Sequence, residues 1–197
     1  MARIDIEEHA LGVTWVVEEP MERAFHALVD DGRVWLVDPL DRPEIEDGLA
    51  LGEPAGVLQL LDRHNRDCAE IAARLGVPHL KVPASVPGSP FEAIPAVRVP
   101  RWQETALWWP AKKALIVAEV LAANPMHTGG EQRVGMHLFL RPWPPGALRG
   151  YEPEHLLLGH GSPVHGSEAA DAVETAYARA RRDLPRVLWD LPGALRG

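Results

Sequence analysis

The stretch Leu156-Leu157-Leu158-Gly159-His160-Gly161-Ser162-Pro163-Val164 constrains this chain more than any other. Three apolar residues run into a Gly-His-Gly turn, and Ser-Pro then stops the strand. A histidine flanked by two glycines stands at a strand end with no bulk beside it, which suits close approach of backbone or ligand. Taken alone, the segment also fits a tight turn whose histidine bonds a neighbour. The choice between these readings depends on what lies upstream.

The order of elements upstream is legible from pattern. Leu11–Val17 is apolar and β-branched and reads as a strand. Arg23–Val29 and Arg33–Val37 flank Asp30-Asp31-Gly32, a hairpin signal. Asp41–Gly52 is an acidic loop with room for one helical turn. Gly56–Leu61 is a short strand and Asp62–Cys68 is a polar stretch after it. Ala69–Leu75 carries apolar residues at helical spacing and ends at Gly76, and Val77–Val82 is the next strand. In such a β-α-β unit, ligands gather at the carboxyl ends of strands, where residues 62–68 sit.

Beyond the Pro/Gly/Ser-rich segment 83–95, three strands are expected at Val97–Val99, Glu104–Trp109 and Ala114–Val120. A loop with adjacent glycines covers 124–133, Val134–Leu140 reads as a helix or a strand with helix favoured, and a proline-rich connector covers 141–150. Ser167 is placed as the cap of a helix running through Arg182, with acidic residues early and arginines late, as the helix dipole prefers. Pro185 ends it. Hairpins, then β-α-β, then hairpins, then strand-helix describe a two-layered β core flanked by helices.

Composition narrows the function classes. The 197 residues are 46% apolar with a net charge of −8, and lysine occurs only at Lys81, Lys112 and Lys113. One domain spanning 1–197 is expected. The acidic balance argues against nucleic acid, because phosphate contacts need clustered cations. The longest apolar run, Ala114–Ala123, is too short to span a bilayer and is broken by Glu119. Cys68 is the single cysteine, so no internal disulfide forms. The acidic N-terminus has no apolar core of a secretory signal. A cytoplasmic protein without membrane contact is expected, and exposed tryptophans near 102–109 or 141–151 would suit a homodimer.

Four strand ends now line up: the 62–68 loop, Arg101-Trp102-Gln103, Glu119 and His160. Their order and spacing resemble the metallo-β-lactamase fold superfamily, nearest in flavour to its glyoxalase II-like branch. Ala114–Leu121 looks like the family's strand ending in Gly-Asp, and Leu158–Val164 like its Pro-Gly-His-Gly-x-Pro-Val segment. The resemblance implies an α+β, four-layer αββα sandwich of two mixed sheets flanked by helices. The family's His-x-His-x-Asp-His motif falls on Arg63-His64-Asn65-Arg66-Asp67-Cys68, where only Asp67 matches. A register slip of one residue would put His64 at a ligand position.

Carried over residue by residue, the family's first-metal histidines are replaced by Arg63, Asn65 and Trp102, and Arg cannot ligate a metal. The second-metal positions hold Asp67, Cys68, Glu119 and His160, each a chemically competent zinc ligand. Two readings follow. In the leading one the dinuclear zinc centre is lost, no cofactor is bound, and the cleft is a non-hydrolytic relic or a small-molecule or protein-binding module. In it Arg63 pairs with Glu119 or Asp67, and Trp102 fills the vacated space. In the other, a single zinc ion on Asp67, Cys68, Glu119 and His160 serves a hydrolase of esters, thioesters or lactone-type substrates, with His64 as catalytic acid or base. His9, His26, His79, His127, His137, His155 and His165 show no pairing at ligand spacing and are expected to be ordinary residues.

Overall fold

The computed structural model describes residues 2–64, 66–129 and 131–194. A six-stranded sheet opens the chain: β1 (Ile4–His9), β2 (Gly12–Val17), β3 (Ala24–Asp30) and β4 (Arg33–Val37) form an antiparallel meander, and β5 (Glu53–Gln59) and β6 (His79–Lys81) join in parallel. The short helix α1 (Ile45–Leu49) precedes β5, and α2 (Cys68–Leu75) links β5 to β6. Gly76 closes α2 in the left-handed conformation, φ 66°, which glycine adopts without steric cost.

The second sheet has the order β13-β12-β9-β8-β7. Here β7 (Glu92–Val99), β8 (Trp102–Trp109) and β9 (Ala114–Val117) form an antiparallel meander, and β12 (His155–Leu158) lies parallel to β9. Between β9 and β12 lie β10 (Leu121–Ala122), the short helix α3 (Pro125–Thr128) and β11 (Gly135–Met136), with β10 and β11 paired. β13 (Val164–His165) returns antiparallel to β12, and α4 (Ser167–Arg179) and α5 (Leu184–Ala194) close the chain.

The layering follows from two buried clusters. One gathers Leu28, Trp35, Val37 and Leu58 of the first sheet with Leu107, Ile116, Leu157 and Leu158 of the second, so it lies between the sheets and continues to Ala169, Val173 and Ala176 of α4. The other packs Val13, Trp15, Phe25 and Leu36 against Ile45 of α1 and Cys68, Ile71 and Ala72 of α2. Strands buried on both faces read as continuous apolar runs, as in Ala114–Val117 and Leu156–Leu158. The expected α+β sandwich of two mixed sheets flanked by helices is what the chain forms.

Two local expectations are corrected, and one element is added. Residues 134–140 do not form a helix: β11 pairs with β10, and only Leu138–Leu140 makes a single 3-10 turn, because Gly135 packs against the His127 carbonyl and a helix would break that approach. Helix α4 starts at Ser167 with Gly166 as its cap and ends at Arg179, short of Arg182. The N-terminal residues 4–9 form an edge strand. Among the described residues no helix is long and apolar enough to cross a membrane.

Candidate metal site

The two sheets meet at one end of the sandwich, and the meeting is made by loops. Beyond β5, Leu61 bridges Glu104 of β8, and the Thr105 amide donates to the Leu60 carbonyl at 2.9 Å. Beyond β12, the Ala24 amide donates to the Gly159 carbonyl and the Gly161 amide to the Glu22 carbonyl, which seats the Gly-His-Gly turn on the β2–β3 connection. Both glycines are required. A Cβ on Gly159 would stand 2.3 Å from the Ala118 oxygen, and one on Gly161 would stand 2.8 Å from Ala123 and Asn124, at a φ of +81°.

This junction brings His64, Glu119 and His160 together, with one ligand atom from each within 4.8 Å of the others. The rings of His64 and His160 meet edge to face, their centres 5.5 Å apart. Each ring is oriented from behind. His64 donates through Nδ1 to Asp38 Oδ2 at 3.0 Å, and His160 through Nδ1 to the Met21 carbonyl at 2.8 Å. Both Nε2 atoms are buried and have no partner among the described residues. Burial, with Arg66 and His64 nearby, pushes the His160 pKa down to about 4, so its ring is neutral near pH 7.

Asp38 sits at φ +46° at the end of β4 and also accepts the Leu60 amide through Oδ1 at 3.0 Å. Its burial would raise its pKa, but His64, Arg66 and the Leu60 amide outweigh that and hold the carboxylate ionised. The half-buried Arg66 guanidinium donates to the carbonyls of Asp38, Ala24 and Gly159, tying both sheets under the site.

Glu119 is placed by another carboxyl group. Buried Glu104 accepts the Glu119 amide at 2.9 Å and the Val120 amide at 3.1 Å through Oε1, and the Trp102 indole N–H at 3.2 Å through Oε2. Desolvation pushes the Glu104 pKa up to about 7 despite those bonds. The Glu119 carboxylate bonds Arg63 Nη2 at 2.8 Å, and its Oε1 lies 3.9 Å from His137 Nε2. Burial would raise its pKa; the Arg63 bond, His137 and His64 hold it below the usual range. The Arg63 guanidinium also lies 4.0 Å over the Trp102 ring, a cation–π contact.

The expected pairing of Arg63 with Glu119 is thus present, and Trp102 is buried beside it. Three of the residues singled out from sequence converge: His64, Glu119 and His160. Asp67 and Cys68 stand outside that group. Asp67 Oδ2 accepts the Asp41 amide at 2.7 Å just before α2. Cys68, as the first residue of α2, turns into the core beneath the first sheet, where burial and Asp38 push its thiol pKa far up. A thiol so disfavoured as thiolate is a poor metal ligand. Asn65 lies outside the described residues.

Two histidines expected to be ordinary line the site. His127 is buried, its Nδ1 bonded to Asn124 Oδ1 at 2.5 Å and its Nε2 without a partner among the described residues. His137 packs edge-on to Trp102 at 4.6 Å, and its Nδ1 accepts the Phe139 amide at 3.2 Å. Neither belongs to a motif, so only their placement by the 124–141 segment reveals them. Asp38 and Glu104 were equally silent in the sequence: each is one carboxylate at a strand end or within a strand. Of the tryptophans, Trp15, Trp35, Trp102 and Trp109 are buried, whereas Trp143 and Trp189 are exposed.

No family model matches the chain, and no curated protein matches it. Solved structures do. The DIM-1 metallo-β-lactamase is 13% identical, with 91% of this chain and 98% of that chain covered at a TM-score of 0.62. VMB-1 is 9% identical over 91% and 97% of the two chains at 0.57, and TMB-1 is 12% identical over 92% and 99% at 0.55. The architecture is that of the metallo-β-lactamase fold, spanned over nearly its whole length.

Proposed function

We propose that this chain is a mononuclear metal-dependent hydrolase, with His64, Glu119 and His160 holding one zinc ion. The observation that carries this reading is the pair of buried, unpartnered Nε2 atoms on His64 and His160, each ring oriented through Nδ1 by an oxygen acceptor, beside the Glu119 carboxylate. Metal-ligating histidines are held in this way, their second nitrogen donating to a carboxylate or backbone carbonyl. Two imidazoles and a carboxylate are a zinc donor set with a position left for water. A zinc ion bound there supplies Lewis acidity and lowers the pKa of a bound water toward neutrality.

The chain's own groups do the rest. Asp38 and Met21 hold the two rings in the ligating tautomer. Glu104 sets the backbone of Glu119. Burial lowers the His137 pKa, and its Nδ1 accepts a backbone amide, so the neutral ring carries its proton on Nε2, facing Glu119. That proton is available to a leaving group in the cleft. Esters, thioesters and lactone-type amides are the substrate classes that the fold resemblance implies, bound as small molecules at the strand ends.

A second reading is favoured by the Arg63–Glu119 pair. A guanidinium there already neutralises the carboxylate, as a metal would, and supports a metal-free, non-hydrolytic binding relic. Elemental analysis of protein purified without a metal-affinity tag separates the two. One zinc per chain, lost in His160→Ala, supports the hydrolase. Metal-free protein that takes up no added zinc supports the relic.

A further inference from the structure

We infer that His127 is an additional protein ligand of the metal held by His64, Glu119 and His160; this rests on the mononuclear reading above. No position carried over from the family resemblance falls on His127, so the assignment comes from geometry alone. Its ring repeats the arrangement of the other two histidines: Nδ1 is bonded to a side-chain carbonyl oxygen, Asn124 Oδ1, and Nε2 is buried without a partner among the described residues. A buried ring nitrogen with no partner costs stability, so a purely structural histidine would be expected to pair it or to be replaced by an apolar residue.

The ring also lies beside the cluster, just outside the group formed by His64, Glu119 and His160. His127 lies nearly parallel to His160, at 18°, with centres 6.1 Å apart. Two imidazoles on one tetrahedral zinc, at Zn–N about 2.0–2.1 Å, stand with centres roughly 5 Å apart. The His64–His160 pair is already near that value at 5.5 Å, and His127 needs to approach by roughly 1 Å. Its backbone is anchored for the purpose. Arg141 Nη2 donates to the His127 carbonyl, Gly135 packs against the same carbonyl, and the His127 amide donates to the Asn124 carbonyl at 3.0 Å. Burial and the neighbouring His137 and His160 keep the ring neutral, the form that ligates.

The test is calorimetric titration of metal-stripped protein with zinc chloride, paired with the visible absorption of the cobalt(II)-substituted protein. His127→Ala is expected to weaken zinc binding about 100-fold or more, beyond what loss of an outer partner costs, and to weaken the cobalt bands as the nitrogen donor is lost. His127→Gln keeps a donor for Asn124 and removes the imidazole, so it should behave alike while preserving the fold. The melting temperature of the stripped variants should stay close to that of the parent, and the zinc-induced rise should shrink. Zinc affinity and cobalt spectrum unchanged in both variants, while His160→Ala abolishes binding, would overturn the role of His127 and leave the mononuclear reading standing. Failure of the parent protein to bind either metal would overturn both.

Discussion

Asp38 Oδ2 lies 3.0 Å from His64 Nδ1, and its other oxygen accepts the Leu60 amide. One buried carboxylate therefore fixes both the ring of a candidate ligand and the strand end that carries it. Asp38→Asn tolerates the left-handed backbone at φ +46° but sets an amide N–H against one of the two donors. Zinc affinity should fall about 10- to 100-fold and stability by about 1–3 kcal/mol. Zinc titration and urea unfolding of the metal-free protein measure the two effects, and an unchanged affinity would remove Asp38 from the site.

Arg63 competes with any cation for Glu119. Removing it in Arg63→Ala should tighten zinc binding by roughly 10-fold, since a unit positive charge close to the site is lost, reduced by its partial exposure to solvent. The gain should shrink at high ionic strength. Weaker binding in the variant would assign Arg63 to the support of the site.

Glu104 accepts three N–H groups at the base of the cleft. Glu104→Gln offers only one acceptor oxygen and turns an amide donor toward one of them. A loss of about 1–3 kcal/mol in unfolding free energy is expected, with weaker zinc binding because Glu119 is no longer placed. Burial raises the Glu104 pKa from its usual 4.5 to about 7. The folded state then holds a proton the unfolded state gives up, and its stabilisation is lost as pH rises from 4.5 to 7. Wild type minus Glu104→Gln should therefore shrink across that window.

His26 titrates in the opposite sense. It is buried between Thr14 Oγ1 and the Leu158 carbonyl, and desolvation pushes its pKa from 6.5 down to about 3. Below pH 6.5 the unfolded chain takes up a proton that the folded chain refuses, so stability falls as pH drops toward 3. One such group contributes about 1.4 kcal/mol per pH unit. The stability advantage of wild type over His26→Gln should decline at up to about that slope between pH 6 and 4. A constant difference would mean His26 is protonated in the fold.

Much of the fold was legible because its signals are local. Apolar runs such as Leu156–Leu158, the Asp-Gly hairpin and Gly76 after a helical pattern each specify backbone geometry within a few residues. Residues 134–140 left helix and strand open with helix favoured, and the close approach of Gly135 to the His127 carbonyl that decides against it is a tertiary fact. The site was legible only where a motif survives. His160 and Glu119 stand at strand ends that the resemblance marks, and His64 is one residue from the expected register. Asp67 and Cys68 looked equally competent, because a sequence does not show that a helix begins at Cys68 and turns the thiol inward. His127 and His137 come from one segment and Asp38 and Glu104 from two others, and their convergence exists only in three dimensions.

The Met21 carbonyl accepts both His160 Nδ1, at 2.8 Å, and Asn124 Nδ2, at 3.0 Å, and Asn124 in turn holds His127. A single oxygen on the connection between two strands of the first sheet thus serves as the common reference point for two histidines carried by the second half of the chain. Sliding one sheet over the other would detune both rings together. Residues 18–23 contribute no side chain to the three-residue cluster, yet a change in the length of that turn would reach it through the Met21 carbonyl.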